Sequence, residues 1–520
     1  MNRNEITTET KEPDKNFIVE DHTDKYKSNH SEKNDFIIDK IFSQYGYSLE
    51  VWKIIITCYF ILFIDGYNST YFSSMIIPYT DLFKLKDNQV SLLGSLFYVS
   101  KGLGFLSVGQ LTKYLNRIYL TKTVLLILII LGFTREINIG FNYLLFNRAF
   151  TGILVGICEI LATNVLCEFL PRRFRAFTMI LTWGGYAIGQ FTPNIIMLYT
   201  MPNLDASGVT QTHLINSIIN LVLFLIICVF FQDSPRNLIL NGNEREAIYI
   251  LSKMTKKDDN SFSPYVQAEL ISQVKDSNKI SSASYKEIFG KDFILFTFCA
   301  LVIFFNNNFY GDGFTLISTL ILREKLRIEQ NEEPGKLLRD SILMQVFNLF
   351  GNLLCALLVE IKFIGRRRSL LILMTSIITV CILSIIFMEH IAIFMSIFNL
   401  LNLVGDIMIV FTSEVYPTRI RDLGTGFINS IALSGSIISQ FVFLYIFNLH
   451  FLTPFYLIIG LLSTSIIAAI LIPIESFERP LDAGIININK DDCEERDISV
   501  KNRNDHQQED SDTQSLLKNS

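Results

Sequence analysis

Twelve long apolar stretches alternate with short polar segments along the chain. A bilayer core of about 30 Å needs roughly 20 apolar residues in an α-helix. Runs this long favour helices, because a helix satisfies its own backbone hydrogen bonds in lipid. The pattern therefore predicts an all-α membrane protein with twelve transmembrane helices. The predicted spans are about 51–79, 89–111, 119–135, 142–168, 176–200, 212–232, 292–320, 339–361, 368–388, 391–413, 422–447 and 452–473.

Polar residues are concentrated at the two ends and in the middle of the chain. Basic residues predict the orientation, because cytoplasmic loops carry an excess of Lys and Arg. The short loops after spans 2, 4, 8 and 10 hold this excess, so both termini and the middle segment are predicted to face the cytoplasm. The predicted divisions are a disordered tail with a short pre-helix segment at 1–50, a six-helix half at 51–232, a linker with amphipathic helices at 233–291, a second six-helix half at 292–473 and a disordered tail at 474–520.

The two predicted halves repeat each other. The pattern E-x-x-P-x-R-x-R begins at Glu168 and again 246 positions later at Glu414. Two acids inside apolar spans, Glu159 and Asp406, are 247 positions apart, as are an Asp-Gly pair in span 1 and its counterpart in span 7. Parallel repeats around a central cavity are a known plan of transporters. The sequence thus predicts two pseudo-symmetric six-helix halves around a cavity.

Composition narrows the class of protein further. Half of the 520 residues are hydrophobic, 18% are charged and the net charge is −5, whereas soluble proteins carry about 25% charged residues. This excludes a soluble globular protein, a nucleic-acid binder and a fibrous protein. Seven of the eight cysteines lie in apolar runs without metal-ligand or disulfide spacing, so no metal or cofactor is expected. An enzyme is not expected either, because no nucleophile, base and orienting residue can be grouped from the sequence.

Motifs at the helix ends place the chain in a family. Arg148-x-x-x-Gly-x-x-x-Gly leads into Glu168-Phe-Leu-Pro, Asp233-Ser-Pro-Arg follows span 6, and Glu414-Val-Tyr-Pro-Thr ends span 10. On these residues the chain resembles the major facilitator superfamily, and within it the sugar-porter-like group that contains synaptic-vesicle-protein-related and organic-ion transporters. The resemblance covers about residues 36–481. It implies the major facilitator fold and transport by alternating access.

The loop after span 2 and its copy in the second half depart from the family. The family motif there is G-x-L-x-D-R-x-G-R-R, but Lys113 and Lys362 stand at the two Asp positions. In the family that Asp helps to hold the outward-open state. Its loss motivates one alternative function, a non-transporting sensor or vesicle protein built on the same fold.

Ionisable residues within the spans are the candidates for proton coupling. Each costs about 2.5–3.5 kcal/mol on insertion scales, so each needs a partner or a function. Asp65 and Arg148 are predicted at similar depth in spans 1 and 4. The resemblance implies that the two form a pair and that Asp65 binds the coupling proton. A purely structural ion pair and no contact at all are the two alternatives.

Further polar residues on apolar spans are candidates for the cavity wall, because an amide in lipid needs a partner. If Glu159 and Asp406 both face the cavity, a net-acidic wall would favour protons and cationic or neutral solutes. The alternative is that Glu159 pairs with Lys101 and that neither meets the solute. The predicted cavity residues are Asn68, Glu159, Gln190, Asn194, Asn307, Asn308, Asp312, Gln345, Asp406 and Asn429.

Acids and arginines at the predicted cytoplasmic helix ends are candidates for a gate. The resemblance implies that they form salt bridges between the halves, which close the outward-facing state and break when the protein turns inward. Positive-inside topology alone is the alternative explanation for the arginines. The predicted gate residues are Arg117, Glu168, Arg175, Arg366, Glu414 and Arg421.

Together these features predict a secondary active transporter, a monomer in the lipid bilayer that moves a small polar organic solute with a proton. The alternatives are a facilitative uniporter of a sugar or organic ion, and the sensor or vesicle protein above. An acidic dileucine pattern at 512–517 adds a vesicle or vacuolar membrane to the plasma membrane as a predicted location.

Overall fold

The structure is a computed structural model of the chain. It describes residues 37–134, 140–171, 173–201, 208–255, 267–268, 270–272, 274, 285–328, 334–361, 363–387, 397–398, 400, 403–449, 453–472, 474 and 476. The regular structure of these residues is helical, which confirms the all-α prediction. Most of the two predicted tails lies outside the described residues.

The first half consists of a short helix before the membrane and six long helices. The first long helix ends where Lys84 adopts a left-handed backbone, with φ of 50°, and its N–H bonds to the carbonyl of Thr80. The bounds are α1 Ile37–Tyr45, α2 Leu49–Phe83, α3 Asp87–Tyr114, α4 Arg117–Thr134, α5 Phe141–Phe169, α6 Arg175–Thr200 and α7 Val209–Phe230.

Short helices separate the first half from the long helices of the second. The first of them begins at Pro235, after Ser234 accepts a hydrogen bond from the Asn237 N–H at 3.1 Å, an arrangement typical of a helix start. The bounds are α8 Pro235–Leu240, α9 Glu244–Thr255, α10 Tyr285–Ile288, α11 Ile294–Ile328, α12 Pro334–Val359, α13 Gly365–Ile386, α14 Val404–Val415, α15 Thr418–Leu449 and α16 Thr453–Leu471.

The long helices follow the predicted spans. Eleven spans each coincide with one described helix, and those of spans 1 and 7 run beyond the predicted ends to Phe83 and Ile328. In the tenth span, residues 397, 398 and 400 are helical, Leu403 is not, and α14 begins at Val404. Eight helices within the described ranges are long and apolar enough to cross a membrane.

The two halves meet along two helix pairs, α3 with α15 and α6 with α12. A methyl group at Gly426 of α15 would collide with the Phe105 carbonyl of α3, so the close approach of these helices requires glycine there. The main buried apolar cluster includes residues of both halves. We call the side of the molecule where Glu168 and Glu414 lie the gate side.

Candidate functional site

Three ionisable side chains from three helices form one buried cluster in the first half. The Lys101 Nζ atom of α3 lies 3.0 and 3.2 Å from the carboxylate oxygens of Asp65 in α2. The same atom lies 2.7 Å from a carboxylate oxygen of Glu159 in α5. All three side chains are buried. Since two carboxylates share one ammonium group, the fully ionised cluster carries one net negative charge, and one proton makes it neutral.

The surroundings of Lys101 fix its position between the two acids. A methyl group at Gly156 of α5 would lie 2.5 Å from the Lys101 carbonyl oxygen, so α3 and α5 approach closely only because this residue is glycine. The ammonium group also lies 5.6 Å from the ring centroid of Phe105 and 5.7 Å from that of Tyr186. Aromatic faces attract a cation at this distance.

Arg148 is not placed as the sequence predicted. Its guanidinium donates to the backbone carbonyls of Asn68 at 2.7 Å and Ser69 at 3.4 Å, and lies 3.9 Å from the ring centroid of Phe97. The predicted Asp65–Arg148 pair is replaced by the Asp65–Lys101 pair. The physical reason is depth, because Arg148 is level with residues one helical turn beyond Asp65. The alternative pairing of Glu159 with Lys101 is the one that the structure contains.

A small cavity lies between the halves and connects to this cluster through Glu159. Besides Glu159 Oε2, which is paired with Lys101, three of its wall atoms have no hydrogen-bond partner among the described residues: Trp183 Nε1, Thr163 Oγ1 and Asn164 Oδ1. They offer one donor and two hydrogen-bonding oxygens to a bound molecule. The lining residues are Glu159, Ile160, Thr163, Asn164, Trp183, Ile409, Thr412, Ser413, Thr425 and Asn429.

The predicted cavity residues divide into several groups. Glu159 and Asn429 line the cavity, whereas the Asn68 amide nitrogen donates to the Ile64 carbonyl within α2 at 2.7 Å. In α11, Asn307 accepts a hydrogen bond from the Tyr310 hydroxyl at 2.9 Å. The others are buried or half-buried outside the cavity lining: Gln190 and Asn194 in α6, Asn308 and Asp312 in α11, Gln345 in α12 and Asp406 in α14.

Metal ligands are not grouped in the described part of the chain. No three His, Cys, Asp or Glu side chains there are placed to hold a metal ion.

Glu168 is the centre of a gate-side cluster that joins the two halves. Its carboxylate accepts hydrogen bonds from Arg117 at 3.1 and 3.2 Å and from the Ser234 hydroxyl, all within the first half or its end. It also accepts from Arg421 of the second half at 2.7 Å. All these side chains are buried, so the ion pairs are weakly screened by solvent.

Glu414 is the centre of an equivalent cluster in the second half, but its partners differ in which half they belong to. Its carboxylate accepts from Arg366 at 3.1 and 3.2 Å and from the Ser476 hydroxyl at 2.6 Å. These recorded partners all belong to the second half or its end. Arg175, another predicted gate residue, donates to the Leu170 carbonyl at 3.4 Å. Of the predicted gate residues, Arg117, Glu168 and Arg421 therefore have ion pairs that cross between the halves.

Other residues that sequence reasoning missed connect the halves. Asp422 accepts from Arg117 at 3.0 Å and from the Asn164 amide at 2.7 Å. Glu360, at the end of α12, accepts from the Phe177 N–H in the first turn of α6 at 3.3 Å. An acid at a helix N-terminus is stabilised by the helix dipole. One available signal was the position of Asp422 directly after the second E-x-x-P-x-R-x-R copy.

One buried acid lies just beyond α7, outside the spans. Burial raises the pKa of Asp233 to about 6, against the opposing effects of the nearby Arg117 guanidinium and of Asn237. The Asn237 side-chain amide donates to Asp233 at 2.8 Å. This carboxyl group therefore titrates within the range of pH that a cell compartment can reach.

Comparison with known proteins gives a consistent family match. The sequence profile described as "Sugar (and other) transporter" matches residues 12–483. The synaptic vesicle 2-related protein of Pongo abelii is 24% identical over 437 residues, covering 78% of this chain and 75% of that protein. The organic cation/carnitine transporter 7 of Arabidopsis thaliana is 22% identical over 402 residues, covering 69% of this chain and 78% of that protein.

A solved structure shares the fold. The major facilitator superfamily proton:xylose symporter XylE, bound to 6-bromo-6-deoxy-D-glucose, superposes with a TM-score of 0.67 at 15% sequence identity. The superposition covers 83% of this chain and 98% of the symporter chain. This likeness confirms the predicted fold of two six-helix halves around a central cavity.

Proposed function

The chain belongs to the sugar (and other) transporter family of membrane transporters, and on that basis we propose that it couples the movement of a small polar organic solute to that of a proton. The Asp65–Lys101–Glu159 cluster is the observation that carries this proposal. A buried charge is costly in a membrane protein. Because one proton removes the net charge of this cluster, proton binding stabilises the buried arrangement.

Glu159 provides the connection between proton and solute. It belongs to the charged cluster and also lines the cavity between the halves. A solute that contacts Glu159 or the neighbouring Trp183 therefore changes the surroundings of the proton site directly. Coupling requires that proton and solute favour the same conformational state. In this proposal, the proton and the solute both stabilise the loaded state, from which the protein switches between its outward-facing and inward-facing conformations.

The gate-side ion pairs support alternating access. The Glu168–Arg421 and Arg117–Asp422 pairs each join one half to the other, so the cavity opens to the gate side only after these contacts break. We assign the gate side to the cytoplasm, with both termini on that side, because the Arg-rich loops lie there.

The oligomeric state and the membrane are also part of the proposal. We propose a monomer, because the buried Glu168 and Asp422 find their charged partners within the same chain. The membrane is the plasma membrane or that of a vesicle or vacuole, in agreement with the dileucine pattern of the tail. The sensor alternative loses support, because Asp422 and Glu360 supply gate-side contacts despite the lysines at the family's Asp positions.

Flux measurements on reconstituted protein test the proposal. Proteoliposomes are loaded with buffer at one pH and diluted into another, and uptake of radiolabelled xylose and carnitine is followed with and without a proton uncoupler. Wild type should accumulate its solute against a gradient only while the pH difference lasts. Asp65→Asn and Glu159→Gln should lose this accumulation and retain solute exchange. Uptake that only equilibrates the solute and is insensitive to the uncoupler would favour the uniporter instead.

A further inference from the structure

Asp406 is an acid of the second half for which the described residues supply neither a hydrogen bond nor an ion pair. It lies in the first turn of α14. Burial removes most of its water, yet part of its side chain remains accessible. The tenth span is interrupted at Leu403, directly before α14. Interrupted helices are common where transporters bind ions and substrates, because freed backbone groups and side chains face the ligand there.

Two amide side chains on α12 also have an oxygen without a hydrogen-bond partner among the described residues. The side-chain oxygens of Asn348 and Asn352 are buried and have no hydrogen-bond partner among the described residues, and Asn352 is 3% exposed. Residues four apart share one face of a helix. Cys355, on the same face, lies within electrostatic range of Asp406. Gly351 packs against the chain just before α14. This face of α12 is therefore turned toward Asp406.

A third helix closes the group. The Asn307 amide nitrogen of α11 would lie 2.8 Å from a methyl group at Gly405, the residue before Asp406. Its oxygen is already occupied by the Tyr310 hydroxyl at 2.9 Å, so the orientation of this amide is fixed. Polar side chains of α11 and α12 thus lie close to the start of α14 in the second half.

We propose that Asp406, Asn348 and Asn352 form a site for a small monovalent cationic group. The buried side-chain atoms of Asn348 and Asn352 without hydrogen-bond partners are oxygens, which accept hydrogen bonds or ligate a cation, and the Asp406 carboxylate adds a negative charge. A buried carboxylate without a partner is costly, and a bound cation removes that cost. Both a primary ammonium group, with its three N–H donors, and an alkali ion, which prefers oxygen ligands, fit this chemistry.

The site is separate from the proton-binding cluster of the first half. Asp406 is the counterpart of Glu159 in the repeat, but Glu159 is paired with Lys101, whereas no described lysine or arginine pairs with Asp406. The two halves therefore differ, since the first contains an internal ion pair at this position and the described part of the second does not. The proposal requires only binding, so it stands or fails independently of proton coupling.

Direct binding to the purified full-length protein tests the site. Radiolabelled ethanolamine, as the ammonium probe, and radiolabelled sodium are titrated separately in detergent at fixed pH and ionic strength. Saturable binding of one probe per chain is the expected result. Binding of ethanolamine alone identifies the site with the charged head of a solute, and binding of sodium alone identifies it with an alkali ion. Absence of saturable binding of both probes at millimolar concentration overturns the proposal.

Variants locate the bound probe. Asp406→Asn should weaken binding by at least about tenfold, because a charged partner is lost, and Asn352→Leu should weaken it by a smaller factor. Glu287→Gln, the same acid-to-amide change on a surface acid paired with Arg419, should bind as wild type does. Unchanged binding in a folded Asp406→Asn protein overturns the assignment. If that variant fails to fold, Asp406→Glu provides the test, since it keeps the charge but moves it by one methylene and should weaken binding.

Discussion

Lys101 is the residue that compensates the two buried acids of the first half, Asp65 and Glu159. Removing one partner from a buried ionic group costs about 3–5 kcal/mol, because the remaining charge is left without compensation. Lys101→Met should therefore lower the free energy of unfolding by about this amount. The measurement is the melting temperature of the purified protein in detergent at neutral pH.

A triple variant controls for lost packing at the same position. Lys101→Met combined with Asp65→Asn and Glu159→Gln leaves no charge in the cluster, and replacing a whole buried ionic group by neutral residues is often close to neutral for stability. The triple variant should recover most of the stability lost in Lys101→Met. If both variants melt at the same temperature, packing and not charge accounts for the loss.

Asp233 should make stability depend on pH. Burial raises the pKa of its carboxyl group from 3.8 to about 6, so the folded protein holds this proton more tightly than the unfolded chain. Its contribution is fully present below about pH 4 and is lost as pH rises through about 6. The side chain at this position cannot ionise in Asp233→Asn. Between about pH 4 and 7, the free energy of unfolding of this variant should therefore fall by about 1–3 kcal/mol less than that of wild type.

Melting temperatures at several pH values check this prediction. Glu287→Gln is the matched control, because it makes the same chemical change on a surface pair with Arg419 and should follow the wild-type profile. An Asp233→Asn profile parallel to that of wild type would show that another group sets the pH dependence.

Among the helices, the ends of α5 and α14 carry equivalent acids with unequal consequences. Glu168 bonds to Arg421 of the other half, whereas the recorded partners of Glu414 belong to its own half. Glu168→Gln should therefore open the gate side more often than Glu414→Gln. Cys167 is a native reporter, since it is buried between the halves with its thiol directed at the Ser413 carbonyl at 3.5 Å.

Labelling of Cys167 with a maleimide measures this opening. The reaction should be several-fold faster in Glu168→Gln than in wild type, and close to the wild-type rate in Glu414→Gln. A Cys167→Ala protein corrects for the other cysteines. Equal labelling rates in the two Glu variants would mean that Glu168 does not hold the halves together.

The sequence predicts helices well here and predicts partners less well. The spans follow from the length of the apolar runs, and the repeated motif marks Glu168 and Glu414 beside arginines. Which residues pair depends on a difference in depth of one helical turn, about 5.4 Å. This difference places Arg148 beside Asn68, so that Asp65 pairs with Lys101. Depth counted from uncertain helix ends cannot resolve that distance.

Asp422 shows a second reason why part of the site escaped prediction. Its equivalent in the first copy of the motif is Ala176, so comparison of the halves does not mark it. Only the packing of α15 against α5 brings it to Arg117 and Asn164. Contacts between halves depend on how complete helices pack, and a single sequence does not record that arrangement.

The contacts between the halves also bear on the absence of the family's Asp. Lys113 is exposed, and the connection between the halves is made by Asp422 in α15 and Glu360 at the end of α12. Each of these acids contacts the opposite half. Under the proposed mechanism, these acids would take the place of the contact that the family motif provides.

The net charge moved in one transport cycle follows from the buried cluster of the first half. In the proposed mechanism the Asp65–Lys101–Glu159 cluster is neutral when protonated and has one negative charge when empty. A neutral solute such as xylose should therefore move with one positive charge per cycle. One charge is worth about 2.3 kcal/mol per 100 mV, so an inside-negative potential of about 100 mV should raise accumulation by about 50-fold.

A potassium gradient with valinomycin sets this potential across proteoliposomes at equal pH on both sides. In Asp65→Asn the remaining Lys101–Glu159 pair is neutral throughout the cycle, so the potential should no longer change the uptake of a neutral solute. A cationic solute would still respond in this variant, because it carries its own charge. Wild-type accumulation of a neutral solute that does not change with the potential would therefore exclude proton movement through this cluster, whatever the solute's affinity.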